Sequence, residues 1–208
     1  MAAQLTLYTN PMSRGRIARW MMEEVGQPYD VEIMGYGGTM KGDAYRAINP
    51  MGKVPAIRHG DVVVTECAAI CAYLADAFPE AGLAPPPGSP DRADYYRWLF
   101  FAAGPVEAAV TNGALGIEIS DEKKRMVGYG CMDDALAALE QAVTGKAFVA
   151  GGAFSAADVY VGSQIGWGMQ FGRIPPRPAF VAYWDGLKAR PAHKRAAELD
   201  DAAMPKPE

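Results

Sequence analysis

Polar and apolar residues alternate in Gln4-Leu5-Thr6-Leu7-Tyr8 with a period of two, the pattern of a short strand. The spacing then changes. Ile17, Trp20 and Met21 recur at helical intervals, predicting a helix from Arg14 to Val25 that Gly26 and Pro28 end. Tyr29 to Met34 reads as a second strand, so the chain opens with a βαβ unit whose strands run parallel. A glycine-rich connection (Gly35, Gly37, Gly38, Gly42) and a helical turn near Asp43 to Ala47 lead to the turn Asn49-Pro50-Met51-Gly52. Ala56 to His59 and Val62 to Thr65 flank Gly60-Asp61, a favourable hairpin turn pair. Ile70, Tyr73, Leu74 and Phe78 mark a helix from Cys67 to Phe78, stopped by Pro79. The order β-α-β-α-β-β-α predicts a four-stranded mixed sheet with helices on its faces.

Beyond Gly82 the strand signal ends. Pro85-Pro86-Pro87-Gly88-Ser89-Pro90 is a stiff linker, and Ser89-Pro90 suits the start of a helix. One long helix is expected from Asp91 toward Leu115, bent at Gly104-Pro105. A second is expected from Ser120-Asp121 to Gly145. A third starts after Ser155, with Asp158 answering at N3 and Phe154 and Val159 placed for a hydrophobic staple. A last helix covers Phe180 to Ala189, with Pro191 beyond it. The expected division is therefore 1–80, a linker at 81–90, and an all-helical 91–208.

Composition narrows the function classes. Half of the residues are hydrophobic and 21% are charged, ordinary for a globular protein. A net charge of −4 argues against a nucleic-acid partner. No stretch approaches the ~20 apolar residues that span a membrane, and the start lacks a secretory pattern. Cys67, Cys71 and Cys131 form no metal-ligand spacing with His59 and His193, so no metal is expected. Cysteines used as small buried residues suit a reduced compartment, and the expected location is cytoplasmic.

The chemistry gathers around Val54-Pro55-Ala56-Ile57 and Glu66-Cys67. Proline cannot donate a ladder hydrogen bond, yet Pro55 opens a strand-like run. A cis Val54–Pro55 bond resolves this and aims the Val54 backbone at an extended peptide lying alongside. Glu66-Cys67 opens a helix whose free N–H groups welcome a carboxylate. Together they outline a pocket for a small acidic peptide.

Asn49-Pro50-Met51-Gly52-Lys53-Val54-Pro55-Ala56-Ile57, Glu66-Cys67, Ser155-Ala156-Ala157-Asp158 and Leu7-Tyr8-Thr9-Asn10-Pro11-Met12-Ser13-Arg14 stand in one order along nearly the whole chain. In this the sequence resembles the cytosolic glutathione transferases, most of all bacterial, serine-type members. The resemblance implies an α/β plus all-α architecture: a thioredoxin-like βαβ-αββα domain that binds glutathione, followed by a helical bundle. It implies that Pro55 is the structural cis-proline, that Val54 pairs with the cysteinyl part of glutathione, and that Glu66 meets its γ-glutamyl amino group. Cys67 stands where the family has serine. Its backbone N–H is unaffected by that change, but a thiol is a weak donor. Lys41 and Lys53 are candidates for the glycyl carboxylate, and each also reads as an ordinary surface lysine. A homodimer is implied as well.

The implied reaction needs glutathione's thiol as thiolate. Lowering a thiol pKa from ~8.5 by ~2 units takes ~2.7 kcal/mol, much of which one hydroxyl donor supplies. Ser13 is the expected donor, although a plain helix cap predicts the same residue. Tyr8 and Asn10 are the alternatives. Met12, Phe101, Trp167 and Phe171 suit a small hydrophobic electrophile. The expected function is conjugation of glutathione to it; a glutathione-dependent isomerase, dehalogenase or peroxidase, and a non-catalytic glutathione-binding module, use the same site.

Overall fold

The computed structural model describes residues 4–205. Its strands are β1 (Leu5–Thr9), β2 (Asp30–Ile33), β3 (Ala56–His59) and β4 (Val62–Thr65), in the sheet order β2-β1-β3-β4. β1 and β2 are parallel; β3 is antiparallel to both β1 and β4. Every residue of β1 is buried, as a central strand covered on both faces requires. Alternation divides the labour. Tyr8 turns to one face and packs with Met34, Met40, Tyr45 and Ala56 under α2 (Asp43–Arg46). Leu5, Leu7 and Thr9 turn to the other, where α1 (Gly15–Val25) and α3 (Cys67–Ala77) lie together.

The chain forms two compact units, and their boundary differs from the sequence division. One runs to Leu83 and takes back the segment from Arg190; the other is Ala84–Ala189. The returning element is α9 (Pro191–Ala202), a helix the sequence reading missed by taking Pro191 as a stop. Proline is equally at home at N1, where its missing N–H has no helical partner to lose. α9 packs along α1. The buried Arg19 guanidinium donates to Asp200 at 2.7 Å, and Arg190 grips Glu24 with two bonds of 2.7 Å. Burial pushes the Asp200 carboxyl pKa up, while Arg19 pulls it back. His193 meets the edge of Trp20 at 4.8 Å.

The second unit is helical. α4 (Pro90–Phe101) starts at Ser89, whose hydroxyl accepts from Arg92 N–H. It continues through a π-helical turn at Ala102–Val106 into α5 (Glu107–Ala114). The wide turn accommodates Pro105, which lacks an N–H for a regular ladder. The next helix starts later than Ser120-Asp121. α6 (Met132–Val143) is capped by Cys131, whose sulfur accepts Asp134 N–H at 3.4 Å, because Gly130 at φ 65° breaks the chain direction just before it. α7 (Ala156–Gln170) begins at Ser155 with a capping box, and α8 (Pro178–Lys188) follows. Among the described residues no helix is long and apolar enough to cross a membrane, and no cluster of side chains could hold a metal ion.

Candidate functional site

Strand register brings the sequence-predicted residues to one end of the sheet. Tyr8 pairs with Ala56, and Ala56 pairs with Thr65. The loop after β1, the residues before β3 and the residues after β4 therefore meet beyond the carboxyl end of β1. The chain leaves β1 to one side for β2 and returns to the other side for β3, so the strand order reverses at β1, and open α/β sheets hold ligands at such a point. A direct bond ties two of these segments. The Cys67 thiol, at the first residue of α3, donates to the Arg14 carbonyl at 3.4 Å.

The Val54–Pro55 bond is cis. Val54 is half-buried and packs on the Tyr8–Tyr45 cluster. The loop before it is held by its own side chains. Tyr45 hydroxyl and Asn49 amide both donate to the Lys53 carbonyl, at 2.7 and 2.8 Å. Burial pushes the Tyr45 pKa up to about 12, so the phenol stays protonated and keeps donating. The Lys53 side chain is exposed. Lys41 reaches over the same loop and donates to Gly52 and Met51 carbonyls at 2.6 and 3.2 Å. An ammonium carries three N–H groups, so one remains for an anion.

Glu66 is exposed and precedes α3, with φ 65° and ψ 119°. It is the one non-glycine residue with positive φ among the described residues. Such a conformation costs of order 1–3 kcal/mol and concentrates at functional sites. No glycine or turn signal announced it in the sequence. Its carbonyl still accepts the Ile70 N–H at 2.8 Å, so the strain falls at the junction and the helix is intact.

After β1, Ser13 is half-buried. Its hydroxyl donates to the Asn10 carbonyl at 2.7 Å and accepts the Gly15 N–H at 2.9 Å. The hydroxyl therefore stands at the opening of α1 with one hydrogen-bond acceptor site left. The two alternatives to Ser13 lie deeper in the fold. Tyr8 is 5% exposed, with its ring 5.7 Å from that of Tyr45. Asn10 is buried, its amide donating to the Met34 carbonyl at 2.8 Å and accepting Met12 N–H at 2.9 Å. That pair of bonds shapes the loop that presents Ser13. Cys71 is fully buried, and burial pushes its thiol up to about 12, far from any thiolate role. Met12 and Phe171 are exposed, and Phe101 and Trp167 half-buried.

What assembles is a strained acidic residue at a helix N-terminus, a hydroxyl at another, and a lysine with a spare donor. Residues 12–77 match the family model described as glutathione S-transferase, N-terminal domain. The chain is 29% identical over 190 residues to glutathione S-transferase A of Pleuronectes platessa, covering 81% of this chain and 79% of that protein. Its fold is similar to a sphingomonad glutathione S-transferase solved with glutathione (TM-score 0.76, 30% identity, 94% of this chain and 98% of the other). It is also similar to a glutathione transferase of Methylococcus capsulatus (TM-score 0.77, 28% identity, 95% and 99%).

Proposed function

The chain belongs to the cytosolic glutathione S-transferase family, with glutathione as co-substrate, and we propose that it adds the glutathione thiolate to a small hydrophobic electrophile. One observation supports this best: the segments carrying Ser13, Val54 and the start of α3 meet at the same end of the sheet, with Glu66 held at φ 65° just before α3. In this reading Glu66 takes the γ-glutamyl amino group. The Cys67 N–H, at the positive end of α3, takes the α-carboxylate. The Val54 backbone pairs with the cysteinyl residue, while Lys41 and Lys53 face the glycyl carboxylate.

Ser13 then turns its proton from the Asn10 carbonyl to the sulfur. A bond to an ionised partner is stronger than one to a neutral carbonyl, which favours the exchange once the thiolate forms. The thiol proton leaves to solvent. The apolar acceptor is attacked by the sulfur and releases its leaving group, or, in an addition, the resulting anion takes a proton from solvent to give the thioether. A second copy of the chain belongs to this reading. Tyr96 and Phe100, exposed on α4 with rings stacked at 6.3 Å, support an apolar contact there.

Titration with glutathione tests the site. Thiolate absorbance should rise with the wild-type protein and a thioether product should form one for one with glutathione consumed. Retention of both by Ser13→Ala would remove Ser13 from the mechanism.

A further inference from the structure

Thr9, the last residue of β1, is fully buried, and its hydroxyl finds no hydrogen-bond partner among the described residues. A buried hydroxyl without a partner is destabilising, and valine has the same shape, a higher strand preference and no polar atom to satisfy. The hydroxyl sits in a particular place. A Cβ on Gly15 would collide with Thr9 Oγ1, and the same point lies 3.0 Å from Ser13 Oγ. Both hydroxyls thus flank the space a Cβ on residue 15 would take at the opening of α1, and that space exists because residue 15 is glycine.

Hydrogen-bond capacity decides what this pair can do. Ser13 Oγ has one proton, given to Asn10, and two lone pairs, one of which takes the Gly15 N–H. The second lone pair is available to a donor. Thr9 holds a donor with nothing to meet. When Ser13 swings its proton to an anion, its oxygen becomes a better acceptor, because hydrogen bonds in a chain polarise one another.

We propose that Thr9 is the positioning residue behind Ser13, its hydroxyl donating to Ser13 Oγ when Ser13 donates to the glutathione sulfur. This rests on the reading of Ser13 given above. No covalent bond forms or breaks in this step; a χ1 adjustment of Ser13 as it turns to the sulfur brings its oxygen within reach of the Thr9 hydroxyl, and a hydrogen-bond chain then runs from Thr9 through Ser13 to the thiolate. The unmet donor of the free protein is satisfied only in the ionised complex, so its pairing favours the thiolate over the thiol.

Thr9→Val, Thr9→Ala and Thr9→Ser, each beside the wild type, test it by thiolate absorbance at saturating glutathione and by steady-state kinetics. Thr9→Val should raise the thiol pKa of bound glutathione by about half a pH unit, from the loss of one hydrogen bond in the chain. It should lower kcat about threefold at fixed pH and leave the KM for glutathione within twofold. Thr9→Ala leaves no methyl against Gly15 and should behave alike if valine distorts α1. Thr9→Ser should restore the wild-type values. If the wild type gives a thiolate signal and Thr9→Val gives the same one, Thr9 is idle and the inference alone is lost. If the wild type gives no thiolate signal, the reading of Ser13 fails and takes the inference with it.

Discussion

Ser13 and Ser155 each sit at the opening of a helix and each contact the helix backbone, yet their surroundings are opposite. Ser155 is 2% exposed, and its hydroxyl donates to Asp158 at 3.0 Å. Asp158, fully buried, also accepts the N–H groups of Ser155 and Val149 and the hydroxyl of Tyr183. Burial pushes the Asp158 carboxyl up, and those four donors pull it down. Every bond there would leave a buried group unpaired if broken. Ser13 is half-buried, spends its proton on a backbone carbonyl, and lies beside an unsatisfied hydroxyl. Ser155 is a structural cap whose partners have no other recourse, whereas the proposed mechanism asks Ser13 to release a backbone carbonyl.

The largest test strikes the closed network. Asp158→Ala strands the Tyr183 hydroxyl and two N–H groups, so unfolding in urea should show a loss of about 3 kcal/mol or more. A loss below about 1 kcal/mol would erase the contrast. Next in size, Ser13→Ala should cut kcat/KM about 10- to 100-fold, the worth of one hydrogen bond to a charged group, while costing under about 1 kcal/mol in stability. Ser155→Ala should do the reverse: a loss of about 1 kcal/mol in denaturant, with kcat/KM unchanged. Measuring both variants in both assays places each serine on its side of the comparison. The smallest effect belongs to Cys67→Ser. A hydroxyl in place of a weak thiol donor should tighten glutathione binding about threefold, read by calorimetry. Weaker binding would mean that the Cys67–Arg14 contact matters more than the donor.

Much of this was legible in the chain. Period-two and helical spacings gave β1, α1 and the hairpin, and Ser155-Ala-Ala-Asp158 announced its capping box through residue types alone. The candidate site could be outlined from Pro55 and Glu66-Cys67, because proline and helix starts leave marks in sequence. Other features left none. Pro191 reads the same whether a helix ends before it or begins on it, so α9 stayed hidden. Ser120-Asp121 imitates a cap, and only the backbone at Gly130 shows that α6 starts later. The φ of Glu66 is imposed by the junction of β4 and α3, and the unmet hydroxyl of Thr9 depends on how closely Gly15 approaches. Both are products of packing, which local patterns do not encode.

The grip of α9 on α1 has a consequence in time. A ribosome delivers α1 well before α9, with the whole of Ala84–Ala189 made in between. Until then the nascent α1 carries Arg19 without Asp200 and Glu24 without Arg190. The helix that Ser13 opens is thus begun before Ala84–Ala189 and completed only after it, so the emerging chain holds the candidate site incomplete until α9 docks.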